Sequence, residues 1–290
     1  MTSVPAVASR RMEVAVVEYH ASDAPERFAK SLRETGFAVL VDHPLRWELV
    51  EQVYEEWSRF FDDPSVHTYT TTDSQCGYFP PDVSETAKGN RIRDLKEFFH
   101  VFPWSEYPSE VSDAALRYRD AAMELALTLL DWVEADTPPE VAAKLSMPLS
   151  RMMEGSTRSL LRVLRYPPLP TDVPDGAVRA AAHEDINLLT VLPAADQPGL
   201  ELLGTNGEWY PVPCDPGSLA INAGEMLDLA TDGYYPATTH RVVNPIGDAA
   251  RTARMSLPLF LHPADDVVLA EGRTAFEFLT RRIQELRGEA

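Results

Sequence analysis

Residues 207–245 read GEWYPVPCDPGSLAINAGEMLDLATDGYYPATTHRVVNP. Three short β-prone runs stand out, EWYPVPC, SLAINAG and TTHRVVN, cut apart by Pro, Gly, Asn and Asp. The pattern continues on both sides. SLLRVLRYPP, HEDINLLTVL and GLELLG precede the stretch, and ARMSLPLFLH follows it. Regularly spaced short strands with turn residues between them predict a β-sandwich or a jelly-roll barrel.

Upstream the character changes. DAPERFAKSLRETG (23–36) predicts a helix, with Asp23 as its cap, Pro25 in its first turn and Gly36 at its end. WELVEQVYEEWSRFF (47–61) predicts a second, with Val50, Val53, Trp57 and Phe60 on one face. Residues 112–135 carry the longest helical pattern, with Met123, Leu127 and Leu130 as its apolar stripe, and Pro138 and Pro139 stop it. MEVAVVEY (12–19), FAVLVDH (37–43) and LKEFFHVFPW (95–104) read as strands. The polar stretch 64–91 reads as a loop. RTAFEFLTRRIQELRG (273–288) closes the chain as an amphipathic helix. The expected organisation is one domain over 1–290. It comprises a flexible tail (1–10), a helix-rich part (11–150), a strand-rich core (151–272) and a C-terminal helix (273–290).

The totals narrow the function classes. The chain has 290 residues, 44% of them hydrophobic, enough for one large domain. Its formal net charge of -19 argues against nucleic acid and anionic membranes as partners. A small anionic substrate remains compatible, because a pocket can be locally basic. The two cysteines, Cys76 and Cys214, form neither a metal spacing nor a disulfide framework. The sequence shows no signal-peptide pattern and no apolar run long enough to cross a bilayer. A cytoplasmic setting is the expectation.

The chemistry starts at HEDINLLT (183–190). Residues i and i+2 of a strand point to one face, so His183 and Asp185 are expected to project together, with Glu184 turned away. Two His and one carboxylate can hold a non-haem iron and leave positions open. Of the seven His, His240 in ATTHRVVNP is the best third ligand and His262, before Pro263, the runner-up. His43, between Asp42 and Pro44, reads as a turn residue. Taken alone, the pair fits a solvated strand end as well. ARMSLPLF adds weight. Arg254 and Ser256 share a strand face in a run that otherwise looks buried. A buried guanidinium needs an anion, and an Arg fork beside a hydroxyl suits a carboxylate.

These pieces, in this order, resemble the isopenicillin N synthase-like iron(II)/2-oxoglutarate-dependent dioxygenases. TGFAVLVDHPL (35–45) is similar to the family's N-terminal GF…H stretch, and LRVLRYPP (161–168) to its N-x-Y-P-P stretch. Residues 207–245 follow its long W-x-x-V-x-P…HRV segment. The resemblance implies an α+β fold, a double-stranded β-helix (jelly-roll) core flanked by α-helices. It implies Fe(II) on His183, Asp185 and His240, and 2-oxoglutarate on Arg254 and Ser256 with a hydrogen bond from Tyr166. It further implies O2 as oxidant, succinate and CO2 as products, and attack on a C–H bond of a small molecule. Hydroxylation is the commonest outcome; desaturation and cyclisation are alternatives.

The sequence departs from the pattern in three places. Leu164 stands where the family has Asn, Glu225 where it has Asp, and the turn before Arg254 is enlarged. The long turn leaves Arg251 as an alternative clamp, though Ala253 rather than Ser follows it at i+2. In the family the substrate pocket draws on the N-terminal half, the barrel interior and the C-terminal helix. That implies Tyr78, Phe79, Arg93, Lys96, Phe98, Arg162, Asp228 and Phe276 as candidates, with core packing or a solvated face as the ordinary alternative for each. Arg162, four before Tyr166, can share its strand face. If it reaches the pocket, an amino acid or another carboxylate becomes a fitting substrate. Two rival readings stand beside this one: an Fe(II)/O2 oxidase of the same fold that does without 2-oxoglutarate, and a catalytically silent jelly roll that binds a small molecule.

Overall fold

The computed structural model describes residues 13–71, 75–83, 94–173, 176–195 and 197–287. Arg93 and the expected tail lie outside these residues. The chain begins with β1 (Val16–Glu18), α1 (Ala24–Thr35), β2 (Phe37–Val41) and α2 (Trp47–Asp62), followed by β3 (Gly77–Phe79) and β4 (Glu97–Val101). The long α3 (Ala114–Asp136) and the short α4 (Pro139–Ala142) follow. The strand-rich part holds β5 (Leu160–Tyr166), β6 (Ala180–His183), β7 (Leu189–Pro193), β8 (Leu200–Leu203), β9 (Trp209–Pro211) and β10 (Leu219–Ala223). It continues through α5 (Glu225–Ala230), β11 (His240–Val242), β12 (Arg254–Ser256), β13 (Leu259–Leu261), β14 (Val268–Ala270) and β15 (Arg273–Thr274) to α6 (Ala275–Arg287).

Two sheets face each other. The larger runs β1-β2-β10-β7-β13-β5-β4-β3, with β12 also paired to β5; the smaller runs β6-β11-β8-β9. All pairings are antiparallel except β1 with β2. This is the jelly-roll core expected from the sequence. β12 and β13 lie along the same edge of β5, separated by Leu257 and Pro258. Pro258 has no N–H to give to a ladder, so the strand breaks there. Its carbonyl still accepts a hydrogen bond from Arg162 N at 3.0 Å.

The larger sheet is buried on both faces, and its side-chain alternation divides two cores. Leu161 and Val163 of β5, Leu189 and Val191 of β7, and Leu219 and Ile221 of β10 join one cluster with α1, α2 and α3. Leu164 and Tyr166 of β5, with Phe37, Val39, Leu200, Leu202 and Val242, form a second cluster between the sheets. The functional pocket opens within the second. On the helical side, Trp57 is fully buried, with ring centroids 5.2 Å from Phe99 and 5.6 Å from Phe60. Truncating such a side chain costs about 3–5 kcal/mol.

Helix α1 ends as expected. Gly36 has φ of 70° and donates its N–H to Leu32 O. A Cβ there would stand 2.8 Å from Pro236 O, so only glycine fits the turn. Asp23, however, makes no side-chain capping bond, and Pro25 alone suits the first turn. The apolar face of α2 is as read, but that of α3 is rotated. Tyr118, Ala122, Leu125, Leu129, Leu130 and Val133 are its buried stripe, while Met123 and Leu127 are only partly buried. Small alanines let the helix approach closely, a signal that counting large apolar residues overlooks. The expected loop 64–91 contains a 3-10 turn over Pro64–Tyr69 and the edge strand β3. No helix among the described residues is long and apolar enough to cross a membrane.

Candidate metal centre

β6 and β11 bring the first two donors together. His183 ends β6, His240 begins β11, and the two are direct antiparallel partners. Their rings are 4.4 Å apart. A register shift lies beneath this pair. Two steps along β11, from His240 to Val242, oppose three steps along β6, from His183 to Ala180. Ala180 and His183 are three apart and would face opposite ways on a regular strand. The shift lets both line the pocket.

Asp185 arrives differently from the expectation. It lies two residues past the end of β6, in the loop before β7, so strand alternation does not aim it. Hydrogen bonds do. Its Oδ2 accepts from Thr190 Oγ1 at 2.5 Å and from Asn222 Nδ2 at 2.8 Å. Thr190 and Asn222 are opposed residues on β7 and β10. Asp185 O also accepts Glu225 N at 2.7 Å, tying the loop to the start of α5. This arrangement turns Oδ1 toward the two imidazoles, 3.8 Å from His183 Nε2 and 3.9 Å from His240 Nε2. Glu184 points away, as expected, and accepts a hydrogen bond from Thr239 Oγ1 at 2.8 Å.

The donor set fits a metal ion. Each His gives its Nδ1 to a backbone carbonyl, Ala181 O at 2.7 Å and Thr238 O at 3.0 Å. The proton is thereby assigned to Nδ1, and Nε2 keeps its lone pair. The Nε2–Oδ1 separations are too long for hydrogen bonds. Two metal bonds of about 2.1 Å can bridge donors up to about 4.2 Å apart. All three ligand atoms lie within 4.8 Å of one another. His183 faces the open volume of the pocket, with 39% of its side chain exposed. The surrounding protein still desolvates it. Burial, and next the neighbouring His240, lower its pKa to about 4, so the ring is neutral at pH 7. Burial opposes the charge of Asp185, but His240, His183, Asn222 and Thr190 together hold its carboxyl below the usual range.

The pocket extends from this cluster along β5. Arg162, Leu164 and Tyr166 project into it by the period of two, as do Arg254 and Ser256 from β12. Arg254 is paired with Tyr166, and Ser256 with Leu164. Arg254 is 3% exposed. It donates from Nη1 to Pro198 O at 3.1 Å, while its Nε has no hydrogen-bond partner. Among the described residues no carboxylate pairs with it. A buried guanidinium in that state has the form of an anion site. Burial raises the Tyr166 pKa, although the Arg254 charge opposes this, so the phenol keeps its proton as a donor. Gly199 makes room for the arginine. A Cβ there would lie 3.2 Å from Arg254 Nη1 and 3.1 Å from Val243 O.

The structure thus brings together His183, Asp185, His240, Tyr166, Arg254, Ser256, Lys96 and Arg162. It leaves other candidates outside the pocket lining. Tyr78 belongs to the helical-side core and donates to Glu97 at 2.5 Å. Phe79 and Phe98 stack on each other, and Phe98 lies beneath Arg162 as packing. Asp228 accepts from Ala237 N, closing the turn after α5. Phe276 is 45% exposed and packs under Arg158. Residue type alone did not reveal which way these side chains point. His262, the alternative ligand, is buried outside the cluster, and the Arg251 side chain is 83% exposed. Thr190, Asn222 and Phe37 line the pocket without having been singled out. The first two carried a signal, each being a lone polar residue in an apolar strand run.

Comparison with known proteins agrees with this geometry. Residues 157–263 match the 2OG-Fe(II) oxygenase superfamily, and residues 17–121 match the N-terminal region described as "non-haem dioxygenase in morphine synthesis". A solved structure classed as an oxygenase from Shewanella oneidensis superposes with a TM-score of 0.86. It is 45% identical, covering 95% of this chain and 99% of that one. A protein classed in the 2OG-Fe(II) oxygenase family from Caulobacter crescentus gives a TM-score of 0.79 at 30% identity, covering 94% and 99%. A 2-oxoglutarate-dependent dioxygenase of Didymella fabae is 27% identical over 256 residues, covering 76% of this chain and 74% of its own.

Proposed function

As the chain belongs to the 2OG-Fe(II) oxygenase superfamily, we propose that His183, Asp185 and His240 hold its Fe(II) and that a small organic molecule is oxidised beside them. The protein is an Fe(II)- and 2-oxoglutarate-dependent non-haem dioxygenase. Hydroxylation of a C–H bond is the outcome we assign to it, and an amino acid or another carboxylate is the substrate class. The observation that carries this reading is the convergence of two lone pairs and one carboxylate oxygen, with a buried, incompletely bonded Arg254 in the same pocket.

When bound, iron with 2-oxoglutarate and O2 supplies the oxidising chemistry, with succinate and CO2 as co-products. The residues do the rest. The carbonyls of Ala181 and Thr238 hold the two imidazoles in the tautomer that presents Nε2. Thr190 and Asn222 occupy Asp185 Oδ2 and keep Oδ1 aimed inward. Arg254 and Ser256, with the Tyr166 hydroxyl nearby, would hold the far carboxylate of 2-oxoglutarate by charge-assisted hydrogen bonds. Leu164, Leu192, Leu200, Val242 and Phe37 wall the space and exclude water.

The test is Asp185→Ala. Stoichiometric Fe(II) binding and 2-oxoglutarate-dependent release of CO2 should both be lost. Survival of either at the wild-type level would overturn the ligand assignment.

A further inference from the structure

The register shift leaves Ala181 and Ala182 between the paired positions Ala180 and His183. β6 is also the edge strand of the smaller sheet, with β11 beside it. A backbone N–H at such a place needs a partner from elsewhere. Ala181 N donates to Asp94 Oδ1 at 3.0 Å, in buried surroundings. The second carboxylate oxygen, Oδ2, accepts from Lys96 Nζ at 2.8 Å, in a pair whose side chains are each 6% exposed. Asp94 comes from the segment that leads into β4. That segment runs beside the lead-in to β6, where Leu95 N donates to Val178 O at 3.1 Å.

The backbone of Ala181 therefore meets two polar side chains. Asp94 holds its N–H, and its C=O accepts the His183 Nδ1 proton at 2.7 Å. Only the two soft dihedral angles of Ala181 lie between those contacts. Alanine has no polar side chain with which to fix its own backbone, and the ladder changes register at this point. An acceptor from another segment supplies the restraint. Being charged, Asp94 makes a bond roughly twice as strong as a neutral acceptor would. Lys96 compensates that charge in a buried place.

Resting on the metal-site reading given above, we infer that Asp94 is a positioning residue for His183, acting through the backbone of Ala181. Asp94 belongs neither to the donor cluster nor to the pocket lining. By fixing the direction of the Ala181 carbonyl it keeps the His183 proton on Nδ1 and the Nε2 lone pair turned toward Asp185 and His240. Thr190 and Asn222 do the corresponding work for Asp185.

The experiment uses the full chain and two readings. In the metal-free protein near neutral pH, long-range 1H–15N NMR correlations of the imidazoles report which nitrogen of His183 carries the proton. Anaerobic titration with Co(II) reports metal affinity. Asp94→Ala should raise the Co(II) Kd on the order of ten-fold, as loss of a support behind a metal-bound His commonly does. It should also move part of the His183 population from Nδ1–H to Nε2–H and leave His240 unchanged. Asp94→Asn keeps the shape and a neutral acceptor, so both changes should be smaller, about three-fold in Kd. A lowered Tm with wild-type tautomer and Kd would mean that Asp94 serves the fold alone, and overturns the inference. A raised Kd with the wild-type tautomer overturns it too, because the uncompensated Lys96 charge would then be repelling the metal. If Asp94→Ala does not fold, Asp94→Asn decides by the same two readings, and wild-type values in both overturn the inference. A wild-type protein that binds no Co(II) while His183 holds its proton on Nδ1 refutes the metal-site reading itself, so the two failures are distinguishable.

Discussion

Replacing Thr190 by Val deletes one hydroxyl and leaves the side chain's shape. That hydroxyl donates to Asp185 Oδ2 at 2.5 Å and accepts from Asn187 Nδ2 at 2.9 Å. Thr190 is 2% exposed, so bulk water does not take its place. Asp185 Oδ2 would keep only Asn222. A hydrogen bond to a charged acceptor is worth about 1.5–3 kcal/mol. Loss of a partner that orients a metal ligand commonly weakens metal binding about 10–100-fold, or roughly 1.4–2.7 kcal/mol. The two routes agree, so the metal Kd should rise by one to two orders of magnitude. Anaerobic titration of the apo protein with Fe(II) or Co(II) measures it. A second effect is separable. Asn187 is fully buried, and its stranded N–H costs about 1–3 kcal/mol of stability. That lowers Tm by roughly 2–4 °C per kcal/mol. Thr190→Ser retains the hydroxyl and should keep the metal affinity. If Thr190→Val lost thermal stability but bound metal within two-fold of wild type, the aim of Asp185 would not depend on this bond.

Other perturbations have defined outcomes. Arg254→Ala should raise the KM for 2-oxoglutarate by on the order of 10–100-fold, because a buried charged partner is lost; an unchanged KM would move the clamp elsewhere. Gly199→Ala should weaken 2-oxoglutarate through displacement of Arg254, since φ there is 131° and the new methyl meets Nη1 at 3.2 Å. Titration of 2-oxoglutarate into the metal-loaded variant reads this, and wild-type affinity would show that the arginine has slack. Burial lowers the pKa of His262 to about 4. Between about pH 4 and the ordinary value near 6.5, the unfolded chain binds a proton that the native state refuses, so stability falls with pH through that window. The loss approaches about 3 kcal/mol at the acid end. Denaturant titrations from pH 7 to 4.5 should show a shallower slope in His262→Leu than in wild type, and equal slopes would count against the assignment.

What was legible in the sequence follows from geometry that is local. The period of two put Arg254 with Ser256 and Arg162 with Tyr166 on common faces, and the structure has them so. Gly36 and the prolines marked ends that are decided within a few residues. Asp185 was chosen for a reason that does not apply. The strand ends at His183, and two partners on other strands, Thr190 and Asn222, do the aiming. Pairing of β7 with β10 is a contact between distant segments, invisible to any window of sequence. Phe276 and Asp228 missed the pocket for the same reason, since the direction a helix presents depends on what it docks against. The polar residues in INLLTVL and SLAINAG were the available clue.

The register shift in β6 makes counting part of the chemistry. Ala181 and Ala182 contribute little as side chains, and either tolerates exchange in principle. Losing one of them can be absorbed. A one-codon deletion there would leave Ala180 and His183 two apart, and regular alternation without the shift keeps both on the pocket face. Adding a residue is another matter: with the shift kept, the two would stand four apart and one of them would turn to the outer face of the small sheet. In this part of the gene, single-codon insertions should be harsher than single-codon deletions, an asymmetry that a deep mutational scan would register as a length constraint centred on two alanines.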